Sequence, residues 1–355
     1  MRRIFGSGVF PVINTTMLIL GTVIGAGFAS GKELVLFFAG FGWYACFAAV
    51  LAGALFFAVI MLFFRAGEKI RAQSIHDVTL ALCPRAPAVL DIFLLFNYTV
   101  LLGSMFGGSD ALTADYVGFP FAGILTLVLT FVVVYFGIKG VSKINNVLVP
   151  VIMLLLVAVC VFNIARPSAG NTAVSIDGLI LNILNIPVYV GMNMMLASGV
   201  LFGIRPDRKT AFLSALISSV IITLFIILIV AAVLAGGYGV LLAEMPIIVL
   251  SRRMNIGVLS LVIIWLGIFT SVIAAAYTLH ASAKQIIRNK ALSLLVVLIL
   301  GYIVSRQGFR AIVEIYYPIS GIVGIAFVFI TANYLRKNKA ADIMPRGMRV
   351  KIKVK

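Results

Sequence analysis

Charge is what this sequence has little of. Only 11% of its 355 residues are Asp, Glu, Lys or Arg, where an ordinary soluble domain has about 25%. Acids are the scarcer sign: 11 Asp+Glu stand against 28 Lys+Arg, a net charge of +17. Cysteine is rare too. Cys46, Cys83 and Cys160 are odd in number, far apart and never in a Cys-x-x-Cys pair. They suggest neither a disulfide framework nor a zinc site. The only histidines are His76 and His280. Both are expected near the cytoplasmic surface, and no His-Glu-x-x-His or Gly-x-Ser-x-Gly segment exists, so an enzyme has no support. What is abundant is apolar residues, at 63%. A soluble domain cannot hide that share of its chain. The sequence reads as an all-α polytopic membrane protein, because each span needs about 20 apolar residues.

Ten apolar segments are expected, at about 9–40 (broken in the middle), 41–64, 88–112, 119–138, 144–164, 178–203, 210–235, 256–283, 291–304 and 312–335. The basic start Met1-Arg2-Arg3 could open a signal peptide, but the chain stays apolar past any cleavage point, so the first segment is read as a span. With both termini in the cytoplasm, 22 Lys+Arg fall on the inner side and 6 on the outer. This asymmetry satisfies the positive-inside rule for a protein of the plasma membrane. It accounts for the basic charge without nucleic acid. The tail, 337–355, is expected to lie against anionic lipid.

Ten spans divide into two fives, 1–166 and 167–336. Five is odd, so the second set is inverted, as in many secondary transporters. The cue for such a repeat is a broken helix at matching positions. Residues Gly21-Thr-Val-Ile-Gly-Ala-Gly-Phe-Ala-Ser-Gly31 hold four glycines, each costing a helix about 1 kcal/mol relative to Ala. Residues Asn185-Ile-Pro-Val-Tyr-Val-Gly191 carry a proline, which removes a donor and clashes with the preceding turn. Each break falls in the first helix of its half. Irregular backbone at membrane depth must line a cavity or lie buried in protein. A half-helix starting near Ala26 offers N–H groups to a carboxylate, and unwound carbonyls suit a cation. Residues Ala26–Glu33 miss a phosphate-binding loop, and Gly25–Ser30 miss a dinucleotide fingerprint. Neither lies in a strand–helix–strand unit.

The stretch Gly21-Thr-Val-Ile-Gly-Ala-Gly-Phe28 resembles the unwound first helix of the amino acid–polyamine–organocation superfamily, the LeuT-fold transporters. The run through Gly31-Lys32-Glu33 is similar to the YkvI-like amino-acid permeases. Span eight adds Gly267-Ile-Phe-Thr270-Ser271. In sodium-coupled LeuT-fold proteins such a hydroxyl pair helps to hold Na+. The resemblance therefore implies Na+ ligands at the carbonyls of Gly21, Ile24 and Gly267 and the hydroxyls of Thr270 and Ser271. Proton-coupled relatives use a span-five lysine, and Lys143 lies too near the cytoplasmic end for that. For the substrate it implies N–H groups of Ala26 and Gly27 on a carboxylate, and span-six carbonyls from Ile186 to Val190, beside Gly191, on an amine. Tyr98 is a candidate hydroxyl contact, and Asn97 and Asn193 are weaker ones. A Lys32–Glu314 pair is a candidate outer gate.

The reading is a Na+-coupled secondary transporter of a small zwitterionic solute, such as an amino acid. Spans 1, 2, 6 and 7 would rock against the rest. No cofactor beyond Na+ and no obligate protein partner are expected. The alternatives are an amino-acid sensor like germinant-receptor subunits, and a proton-coupled or exchange permease.

Overall fold

A computed structural model describes residues 9–72, 74–168, 179–243, 245–255, 257–307 and 316–343. Among them every regular element is helical. The helices are α1 (Val9–Val23), α2 (Ala26–Ser30), α3 (Lys32–Phe38), α4 (Ala45–Ile70), α5 (Ile75–Leu82), α6 (Pro87–Val117), α7 (Ala122–Tyr135), α8 (Ile138–Ala165), α9 (Leu179–Leu201), α10 (Arg208–Gly236), α11 (Tyr238–Leu241), α12 (Pro246–Arg252), α13 (Gly257–Ile286), α14 (Lys290–Val304) and α15 (Tyr317–Ile343).

Each of the ten expected segments contains a helix. Seven stretches are long and apolar enough to cross a bilayer, and α1, α7 and α14 are shorter apolar helices. Their sequences explain where they begin and end. Ser74 and Asp77 form a capping box at α5, and Asp207 and Asn289 cap α10 and α14 through their side chains. Each cap satisfies a backbone N–H that the first turn leaves without a partner. Gly118 ends α6 in the left-handed conformation. Large apolar side chains such as Phe47, Leu154 and Phe329 face outward, as lipid-facing surfaces require.

The packing sorts the long helices into groups. One brings together α1, α4, α9 and α10, corresponding to spans 1, 2, 6 and 7. A second joins α6, α7, α13 and α14, corresponding to spans 3, 4, 8 and 9. Helix α8 touches both, and α15 lies along α9.

One expectation needs correction. Span six is not interrupted: α9 runs unbroken from Leu179 to Leu201 with Pro187 inside it. A proline removes one donor, but neighbouring helices can hold a membrane helix together around it. Helix α15 continues past the expected span to Ile343, into the first residues of the basic tail at 337–355.

Candidate functional site

The site begins at the glycine-rich break. Helix α1 stops at Val23, and Ile24 and Gly25 leave the helical path, with Gly25 extended at φ −94° and ψ −165°. Helix α2 then lasts five residues. Gly31 ends it at φ +79°, a conformation that side chains other than glycine's rarely adopt. Helix α3 restarts at Lys32. All of Ala26–Ser30 is buried. Irregular backbone is thus enclosed by protein.

Helix α13 closes on this break. The Thr270 hydroxyl lies 3.2 Å from the Ile24 carbonyl oxygen and 2.9 Å from that of Gly267. Thr270 is fully buried and Ser271 nearly so. A Cβ on Gly25 would run into the Ser271 hydroxyl, and one on Gly267 would come within 2.7 Å of Ala29 Cβ. Small residues therefore let the two backbones approach. On the other side Gly21 faces Asn145 of α8, whose carboxamide a Cβ there would strike. Asn145 is fully buried, and neither polar atom of its side chain has a hydrogen-bond partner. Ile24, Gly267, Thr270 and Ser271 are brought together around the break, and Gly21 lies one turn before it. The pattern of the sequence did not single out Asn145. Its only cue was an amide in an apolar span.

Glu33 is the second feature. It is 5% exposed, and its Oε2 is buried without a hydrogen-bond partner. The side chain folds back onto the break: a Cβ on Gly27 would run into its carboxylate. The Glu33 carboxylate thus packs against the Cα of Gly27. Tyr189 of α9 is fully buried and its hydroxyl is also without a partner. Its ring packs against Phe37, Phe38 and Phe56, with centroids 5.4, 5.1 and 5.9 Å away. Helix α3, which carries Glu33, packs against α9, which carries Tyr189.

Other expected residues lie elsewhere or are engaged differently. Ile186 and Val190 are buried within continuous α9, so their carbonyls belong to a helix rather than to an unwound segment. Gly191 is a packing residue: a Cβ on it would come within 2.6 Å of the Gly321 carbonyl oxygen on α15. The Tyr98 hydroxyl is committed to the end of α9. It lies 2.7 Å from the Met195 carbonyl and 3.0 Å from Ser198 Oγ, and accepts the Gly199 N–H at 2.9 Å. These bonds use its donor and its acceptors, so it is not free for a solute. Asn97 is paired with Ser320, and the Asn193 amide donates to the Tyr189 carbonyl. Lys32 is half-buried, and Glu314 lies outside the described residues. His280 is buried beside Ser293 rather than solvated. Outside the spans, His76 on α5 meets Asp91 at 2.6 Å, and this hydrogen bond, then the carboxylate's charge, raises its pKa.

Comparisons with known proteins agree with this geometry at the level of fold. No family model matches the chain. It is 27% identical over 325 residues to YkvI, an uncharacterized membrane protein of Bacillus subtilis (strain 168), covering 87% of this chain and 92% of YkvI. It is 26% identical over 340 residues to YyaD of the same organism, covering 87% and 92%. Among solved structures, the transporter MhsT in complex with L-phenylalanine superposes with a TM-score of 0.63 at 15% identity, over 92% of this chain and 89% of that one. Mhp1, a nucleobase-cation-symport-1 family transporter with bromovinylhydantoin bound, gives 0.58 at 15% identity, over 93% and 76%. The manganese transporter of Eremococcus coleocola gives 0.60 at 14% identity, over 98% and 85%. These solved neighbours are transporters, not enzymes. The chain is thus similar to YkvI and shares the fold of these transporters.

Proposed function

We propose that this chain is a secondary active transporter that couples uptake of a small zwitterionic solute, such as an amino acid, to Na+. The observation that carries this reading is the approach of the Thr270 hydroxyl to the Ile24 carbonyl across the break in the first span. Carbonyl oxygens of Gly21, Ile24 and Gly267 and hydroxyls of Thr270 and Ser271 form a neutral oxygen set that suits a hard monovalent cation. Asn145 Oδ1 is a sixth oxygen for the same site, since it is buried without a partner beside Gly21. Manganese is a weaker fit. Among the described residues, no group of three His, Cys, Asp or Glu side chains could hold a metal ion.

The solute carboxylate is assigned to the first N–H groups of α2, at Ala26 and Gly27. The chain is read as ten spans of the plasma membrane in two inverted fives, with both termini cytoplasmic. The grouping of α1, α4, α9 and α10 against α6, α7, α13 and α14, which meet where α13 packs on α1, α2 and α9, supports alternating access by rocking one group against the other. Unlike the first half, the second half opens on a continuous helix, so the two halves are not equally irregular.

The test compares thermal stability of the purified protein in sodium chloride and in potassium chloride. A ligand that binds only the folded state stabilises it by about 2.7 kcal/mol at one hundred times its Kd. The wild type is expected to unfold at higher temperature in sodium. The double variant Thr270→Ala, Ser271→Ala should lose that difference while unfolding normally in potassium. A double variant that keeps the full sodium shift would remove this assignment.

A further inference from the structure

The continuity of α9 removes the acceptors first expected for the solute's amine, because the carbonyls of Ile186 and Val190 lie inside a helix. An ammonium group carries three N–H donors and a full charge, and it cannot be buried without partners. The break offers one place that supplies them. Glu33 Oε2 and the Tyr189 hydroxyl are both buried and both without hydrogen-bond partners.

Among the described residues Glu33 also has no ion-pair partner, although its sequence neighbour Lys32 stands half-buried at the start of α3. The Glu33 carboxylate lies in an apolar span. Helix α3 packs against α2, α4, α9 and α10. Helices α2 and α9 carry no Lys or Arg. Arg65 and Lys69 of α4, like Arg208 and Lys209 of α10, sit at the opposite ends of those helices. An ionised carboxylate left this way in a bilayer is costly. A cation brought by the solute offsets that cost. The surroundings suit an organic one: Phe37 follows Glu33 by one helical turn, and its ring and those of Phe38 and Phe56 pack around Tyr189. Aromatic faces and a carboxylate together recognise alkylammonium groups.

We propose that Glu33 and Tyr189 form the cationic subsite of the transport pocket, binding the primary ammonium group of the solute. The inference rests on the transporter reading above and adds the group that selects the solute. In an amino acid the ammonium and carboxylate hang from one carbon. The ammonium then lies between Glu33 and the solute's own carboxylate at Ala26 and Gly27, which keeps the two negative charges apart.

The experiment measures thermal stability of the full-length protein in sodium against three sets of compounds: the twenty amino acids, their carboxamides, which keep the amine and lose the negative charge, and their des-amino acids. For at least one side chain, the wild type is expected to be stabilised by the amino acid and its carboxamide but not by the des-amino acid. Glu33→Gln should weaken the apparent affinity about 10- to 100-fold, the usual weight of a charged hydrogen bond. Tyr189→Phe should weaken it less. A sodium shift retained in Glu33→Gln shows that the fold is intact. Unchanged affinity in Glu33→Gln overturns the subsite, as does equal stabilisation by a des-amino acid. A wild type that responds to sodium but to no amine overturns both the subsite and the solute class, leaving the sodium site standing. A wild type that responds to neither overturns the transport reading as well.

Discussion

Single residues decide how the polar groups of this apolar protein are used. His76 on α5 and Asp91 near the start of α6 form an ion pair, with Thr79 also bonded to the carboxylate. Because the pair raises the folded-state pKa of His76, its stabilisation is complete below the ordinary histidine value. It is lost as pH rises through the raised one. Asp91→Asn should return the titration of His76 toward 6.5, its unperturbed value, as followed by NMR of the imidazole. An unchanged titration would mean that the pair does not persist in solution. Residue chemistry was only partly legible in the sequence. Thr270 and Ser271 could be singled out because adjacent hydroxyls in an apolar helix are few and the glycine run has a recognisable spacing. Tyr98 could not be resolved: a tyrosine that contacts a solute and one that binds the end of a neighbouring helix have the same sequence environment. Asn145 and Tyr189 acquire meaning only when three-dimensional packing leaves their polar atoms without partners.

Secondary-structure elements show why one break was readable and the other was not. Four glycines in eleven residues weaken a helix additively, and the first span does come apart, at Ile24–Gly25 and again at Gly31. A single proline does less. Pro187 withholds only the N–H that would have bonded the Ile183 carbonyl one turn back, and packing on α15 and α4 holds the rest of α9. The α9–α15 contact is close because Gly191, Gly321 and Gly324 meet there. Close glycine packing of this kind drives helix association in membranes. Pro187→Ala should therefore leave the fold intact and raise the unfolding temperature, by up to the roughly 3 kcal/mol that an internal proline costs a helix. If that variant were stable but had lost its response to sodium and to every amine, α9 would have to unwind at Pro187 during function.

At the scale of the whole molecule, parity decides which side of the membrane each loop faces. Ten crossings return the chain to the side on which it began, and one helix more or fewer would reverse every later loop. The basic residues follow the alternation. Arg65, Lys69 and Arg71 close α4, Lys139 and Lys143 open α8, and Arg205, Arg208 and Lys209 stand between α9 and α10. Lys284, Arg288 and Lys290 fill the turn between α13 and α14. In a ten-span path all four places face the cytoplasm, where Lys and Arg accumulate. The three short helices α1, α7 and α14 make this worth testing, since each must cross the bilayer for the parity to hold. Alkaline phosphatase, which is active only outside the cytoplasm, can be fused after Gly118, between α6 and α7, after Arg205, between α9 and α10, and after Ile343. Expressed in a Gram-negative host, the first fusion should be active and the other two silent, while fluorescent-protein fusions at the same sites should give the opposite pattern. Should α7 fail to cross, the sites after Gly118 and Arg205 would still sit on opposite sides only if another crossing were also lost. A mismatch confined to the fusion after Ile343 would place the fault among α10, α13, α14 and α15, of which α14 is the short one, and with it the pairing of the two halves.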